Sequence, residues 1–130
     1  MNDGKNMGQV ARHTRNGVVV LAFTDALLTA ESVKEVTSIV DSVEPRQIVL
    51  DCESVLFLVS GSLYPDQDPL APLVKLSRRL TDEGSRLVFC NVASEIAHVL
   101  RVTRLDQLFS IQPDVDSAVA CIGSVPEKQP

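Results

Sequence analysis

Residues 47–59 read QIVLDCESVLFLV. The first five, QIVLD, form a short apolar run closed by an aspartate, which is the pattern of a strand. Val55, Leu56, Phe57 and Leu58 continue the apolar character beyond it. Upstream, Pro45 stops a helix, since proline has no N–H to donate and its ring clashes with the preceding turn. In that helix Val36, Val40 and Val43 stand at i, i+4 and i+7, one buried stripe, while Lys34, Glu35 and Ser38 face elsewhere. Thr29 is placed to cap it ahead of Ala30, with Glu31 in the first turn, where the helix dipole favours a negative charge.

Further towards the N-terminus, residues 18–23 (VVVLAF) lie between Asn16-Gly17 and Thr24-Asp25 and read as a buried strand. A shorter strand around 9–13 is expected to pair with it as a hairpin across a 14–17 turn. Downstream, Leu70, Leu73, Val74 and Leu80 define a second amphipathic helix with Lys75, Arg78 and Arg79 on its wet side. Gly84 supplies the left-handed residue that ends it. Residues 86–90 (RLVFC) form another strand, and Ser94 is expected to cap a third helix carrying Ile96, Val99 and Leu100. A short strand is expected near 109–112. Asp114 then caps a last helix carrying Val115, Ala118, Val119 and Ile122, with Gly123 as its end.

The order β(β)αβαβα predicts a single α/β domain with a mixed, mostly parallel sheet of 4–5 strands and helices packed against it. Val20, Ile48, Val49, Leu73, Leu87 and Val88 are the expected core. The domain is expected over 9–123, with polar tails at 1–8 and 124–130. At 130 residues, of which 45% are hydrophobic, the chain can bury a core without disulfides or metal.

Twelve basic residues against seventeen acidic ones leave a net charge of −5, which argues against nucleic acid as the partner. The apolar runs are too short to span a bilayer, and the first ten residues hold no apolar signal segment, so a cytoplasmic location is expected. Cys52, Cys90 and Cys121 cannot all pair and none lies in a C-x-x-C, so free, largely buried thiols are expected. His13 and His98 have no neighbours at ligand spacing, and no phosphate-binding or nucleophile motif is present, so no metal, cofactor or catalysis is expected.

Taken together, this order resembles the STAS domain, the module shared by bacterial anti-sigma factor antagonists and the tails of sulfate transporters. The resemblance spans nearly the whole chain. It is carried by residues 48–59 (IVLDCESVLFLV), 80–92 (LTDEGSRLVFCNV) and 96–111 (IAHVLRVTRLDQLFSI), with 116–118 fitting the last helix.

The resemblance implies a non-enzymatic regulator of signalling whose partner is an anti-sigma factor with serine kinase activity, or other STAS and regulatory proteins. In such antagonists the kinase phosphorylates a serine in an Asp-Ser-Ser-Gly-Leu turn and the complex separates. The alternative is a scaffold module of a larger sensory or regulatory complex with no phosphorylation switch. Small-molecule binding has less behind it, because no phosphate cradle is visible.

This chain departs from the family at that turn. One register sets Val59-Ser60-Gly61-Ser62-Leu63 against the motif, putting Val59 at the aspartate and Gly61 at the usual acceptor. An insertion over 64–69 follows. The other register sets residues 66–70 against it, putting Asp68 at the acceptor and at a helix N-cap, with Pro69 at N1. The first is preferred, because Phe57-Leu58 matches the apolar pair at the family's strand end. Ser60 and Ser62 are the candidate acceptors, Ser60 first. Gly61, Leu63, Tyr64 and Asp68 are candidate partner contacts, Tyr64 as a loop anchor. Read without the resemblance, Ser60 and Ser62 are loop residues beside a glycine turn and Asp68 is a helix cap. Arg101 and Arg104 form either a basic patch or a cluster complementing the dipole of the third helix.

Overall fold

In the computed structural model, residues 10–43, 47–59 and 65–128 are described, with the backbone alone at 65 and 123–128. A hairpin opens the fold. Strands β1 (Val10–Arg15) and β2 (Val18–Phe23) pair antiparallel. Their turn is the two residues Asn16 and Gly17, at φ 52° and 80°, the left-handed pair that matches strand twist. The first strand therefore runs two residues beyond the expected 13, up to Arg15.

After β2 come β3 (Leu27–Leu28), α1 (Ala30–Asp41), β4 (Gln47–Asp51) and β5 (Phe57–Leu58). Next are α2 (Leu70–Asp82), β6 (Arg86–Cys90), α3 (Ser94–Val102), β7 (Ser110–Gln112) and α4 (Val115–Lys128). The main sheet has five strands in the order β1-β2-β4-β6-β7, with every pair after the hairpin parallel. The expected architecture is the observed one. Strands β3 and β5 form a separate two-stranded parallel sheet that the sequence reading did not anticipate.

Parallel strands covered on both faces are apolar on both faces, and the register shows how this chain meets that demand. Leu21, Leu50 and Phe89 lie side by side across β2, β4 and β6 and join the core that packs against α1, α2 and α3. Val20, Val49 and Val88 form the neighbouring rung and turn to the opposite face. There Ala118, Val119 and Ile122 of α4 cover them. All six expected core residues are buried.

Helix ends follow local chemistry. The Thr29 Oγ1 accepts the Ser32 N–H at 3.2 Å, as expected of a cap, and Val33 joins Val36 and Val40 on the buried stripe of α1. Gly84 closes α2 at φ 79°. Ser94 is not the cap of α3. Asn91, left-handed at φ 55°, turns the chain early, so Ala93 takes the cap position with an extended backbone and no side-chain bond, and packs against the core.

Asp114 does cap α4, its Oδ1 accepting the Ser117 N–H at 2.8 Å. Gly123 does not end that helix, which continues to Lys128. A glycine stops a helix by turning left-handed, and otherwise costs only about 1 kcal/mol against alanine. Two ion pairs tie elements together: Arg79 to Asp41 at 2.6 Å between α2 and α1, and Arg15 of the hairpin to Asp116 of α4. Arg79 is thus half-buried rather than wet.

Candidate functional site

The C-terminal ends of β4 and β6 meet in a small polar clamp. Asp51 Oδ1 accepts from the Asn91 side-chain amide at 3.0 Å and from the Glu53 N–H at 3.1 Å. Beside it the Cys52 N–H donates to the Cys90 carbonyl at 2.9 Å. The clamp sets the departure of both following segments, one towards β5 and one towards α3. An asparagine directly after the strand RLVFC is the sequence sign of this turn, since asparagine tolerates the left-handed region better than most residues.

From the clamp the chain turns back on the bond from the Val55 N–H to the Cys52 carbonyl at 3.0 Å. The N–H groups of Leu56 and Phe57 both reach the Ala26 carbonyl, at 2.8 and 3.0 Å, and that of Val59 reaches Leu28 at 3.1 Å. These bonds lay β5 along β3, with Leu27 opposite Phe57 and Leu28 opposite Leu58. Alternation then decides which side chains are wet. Leu28 and Leu58 turn inward over an apolar cavity of about 20 Å³, which Val55, Leu73, Phe89 and Phe109 also line. Leu27 and Phe57 turn outward and are 45% and 63% exposed, and Leu56 beside them is 50% exposed.

Leu27 and Phe57 thus stand in water side by side, and Leu56, just ahead of β5, adds a third exposed apolar side chain to this small platform. The sequence reading placed Leu56 and Phe57 in an apolar run without assigning them to the surface. Composition alone cannot separate an outward from an inward leucine in a strand of two residues. The signal that could have found Leu27 and Phe57 is their parity against Leu28 and Leu58.

Ser60, Gly61, Ser62, Leu63 and Tyr64 lie outside the described residues. They connect Val59, at the end of β5, to the 3-10 turn Pro65–Gln67 ahead of α2. Asp68 is described. Its Oδ1 accepts the Leu70 N–H at 3.0 Å, and Pro69 already has helical angles, φ −80° and ψ −20°. Two residues from acceptor to donor is the N-cap relation, so Asp68 caps α2 with Pro69 in its first turn. Arg101 lies in the last turn of α3 and Arg104 follows at φ 66°, both exposed, in keeping with a dipole-complementing pair.

Two of the three thiols, Cys52 and Cys90, are inert by environment. Burial raises the Cys52 pKa, helped by Cys90 and Asp51. Burial also pushes Cys90 up to about 12, with the carboxylates of Asp51, Asp114 and Glu53 adding to it. Cys121 is half-buried, with the Arg86 guanidinium 3.7 Å from its sulfur. Among the described residues no group of histidine, cysteine and carboxylate side chains could hold a metal ion, and no helix is long and apolar enough to cross a membrane.

Comparison with solved structures places this arrangement. An anti-sigma-factor antagonist (STAS) domain protein from Planctomyces limnophilus superposes with a TM-score of 0.70 at 19% identity, over 88% of this chain and 98% of that one. A substituted RsbS from Moorella thermoacetica matches with a TM-score of 0.67 at 16% identity, over 92% and 99% of the two chains. The murine anion transporter of the solute carrier 26 family contains a similar unit, with a TM-score of 0.66 at 16% identity, covering 86% of this chain but 18% of that one. At these identities the likeness is one of fold. Residues 9–118 match the STAS domain family, nearly the whole of the sheet and its helices, and the chain belongs to that family.

Proposed function

We propose that this chain is a non-enzymatic regulatory module that binds a protein partner at the strand ends, as an anti-sigma factor antagonist does. The partner under this reading is an anti-sigma factor with serine kinase activity. The observation that supports it most is the exposed platform of Leu27, Leu56 and Phe57. It adjoins the segment whose sequence resembles the family's acceptor turn. In open α/β sheets, ligands and partners are met where strands end and the next helices begin. Large apolar side chains held outward on a hydrogen-bonded support are suited to serve as interface anchors, because little entropy is lost in fixing them.

Ser60 and Ser62 remain the candidate acceptors, with Gly61, Leu63, Tyr64 and Asp68 as contacts. A phosphate placed there would carry close to two negative charges into a surface that binding must desolvate, which is how such a modification releases a partner. One feature favours a second reading, a scaffold with no switch. Val59 and Gly61 replace the aspartate and the acceptor serine of the family turn, so the usual hydroxyl is missing. The two separate in one experiment. The chain is incubated with the candidate kinase and ATP, its mass is measured, and complex formation is followed by titration calorimetry. A gain of one phosphate with loss of binding supports the switch, and unchanged mass with a stable complex supports the scaffold. Absence of any complex overturns the proposed partner.

A further inference from the structure

Helices α1 and α2 lie side by side on one face of the sheet and leave a groove of about 600 Å³ between them. On α1 it is walled by Lys34, Thr37, Ser38 and Asp41, a single helical stripe. On α2 the wall is Pro72, Lys75, Leu76 and Arg79, again one stripe. At the far end Arg79 is shared between Asp41, at 2.6 Å, and Glu83, at 3.9 Å. Lys34 and Lys75 face the groove from opposite walls, both exposed, and neither has an ion-pair partner among the described residues. On a chain of net charge −5, the residues lining this groove carry three positive charges, Lys34, Lys75 and Arg79, against the single negative charge of Asp41.

A second cleft shares Ala30 and Lys34 with the groove and continues it towards the 3-10 turn, where Glu31 and Asp66 stand. The electrostatic pattern is therefore polar along the groove, negative at the mouth and positive at the centre. From Ala30 to Asp41 the groove follows α1 for roughly 16 Å, at about 1.5 Å per residue. That is the length of about three helical turns.

We propose that this groove docks an acidic helical segment of a protein partner, its carboxylates over Lys34 and Lys75 and its N-terminus towards Glu31 and Asp66. The positive end of the partner helix then meets the negative mouth. The floor supports a peptide rather than a compact polyanion. Ala30 and Pro72, both partly exposed, offer apolar contact, while Glu31 and Asp66 repel a phosphate chain at the mouth. This surface is separate from the strand-end platform, and the inference does not rest on the function proposed above.

The test uses the full chain, labelled with ¹⁵N, and a 14-residue peptide held helical by a side-chain lactam. One peptide carries glutamates spaced i, i+4 among alanine and leucine. Two analogues carry glutamine or lysine at those places, and inorganic triphosphate is the fourth probe. The expected result is saturable shifts of α1 and α2 amides, Thr37 and Leu76 among them, with the glutamate peptide only. In the Lys34→Glu, Lys75→Glu double variant its affinity falls at least tenfold and the lysine peptide binds instead. Both lysines are exposed, so circular dichroism should show the variant folded. Phe57→Ala should leave these shifts unchanged. No saturable shift, equal binding of the glutamine peptide, or tighter binding of triphosphate to the same amides would each overturn the proposal.

Discussion

Replacing Asp51 with alanine tests the clamp that joins the ends of the two central strands. Two hydrogen bonds to one carboxylate oxygen are lost. The Glu53 N–H lies in an exposed setting and water replaces its partner, so that bond is worth about 0.5 kcal/mol. The Asn91 amide is part-buried, and leaving it without the charged acceptor costs about 1–1.5 kcal/mol. The sum, about 1.5–2 kcal/mol, corresponds to a loss of roughly 6–8 °C in Tm for a domain of this size. Asp51→Asn keeps one carbonyl oxygen in place and should cost less than about 1 kcal/mol. Urea denaturation of each variant measures these values, and the Asn91→Ala background measures their origin. In that background Asp51→Ala should cost only the Glu53 contribution. Asn91→Gly serves as a check, since it removes the amide without forcing alanine into the left-handed region. An Asp51→Ala protein within 0.5 kcal/mol of the parent, or an equal cost in both backgrounds, would refute the clamp.

Leu87→Ala, in the central strand β6, should lose about 2–5 kcal/mol in urea denaturation, through lost burial plus a residual cavity. Phe57→Ala should leave stability within about 0.5 kcal/mol, because the side chain is mostly in water. It should weaken binding of the proposed partner by about 1–3 kcal/mol in calorimetry. In native protein a maleimide should label Cys121 before Cys52 or Cys90, and mass spectrometry of the digest reads the order. An unfolded thiol titrates near pH 8.5 and buried Cys90 near 12, so the unfolded chain loses its proton first. That contribution to stability is present in full below pH 8.5 and lost as pH rises towards 12, and Cys90→Ala should reduce the fall in urea midpoint over that window. Ser60→Asp should weaken the partner complex by about 1–3 kcal/mol while Ser60→Ala leaves it intact, if the switch is present.

The main sheet could be read from the chain because each of its inner strands is a run of apolar residues closed by a polar or turn residue. The hydrophobic stripe of α1 and the caps Thr29 and Asp114 were legible for the same local reason. Strands β3 and β5 were not, since two residues carry no period to detect. Their pairing depends on main-chain groups brought together from 26–28 and 56–59 by the fold. The cap of α3 was misplaced by one residue, because Ser94 has the right chemistry but the turn at Asn91 decides the position. At the candidate site, Asp68 as a helix cap followed from Asp-Pro ahead of an apolar helix. The outward platform and the groove did not, because each is assembled by residues of two separate elements. Lys34, Lys75 and Arg79 were each identified as facing away from the core, and only the packing of α1 beside α2 sets them around one groove.

The unequal covering of the sheet has a consequence for how the protein opens. Three helices seal one face, whereas among the described residues α4 alone seals the other. Detaching α4 breaks no rung of the strand ladder and leaves the platform and the α1–α2 groove in place. Partial unfolding should therefore begin there, with amides of α4 exchanging hydrogen faster than those of β4 and β6. What it uncovers is a band of valines, Val18, Val20, Val49 and Val88, running across three strands. Such a band is the kind of surface through which partly opened molecules adhere to one another. The shelf life of the protein would then be set by how firmly α4 is held, while the platform and the groove stay in place even after that helix detaches.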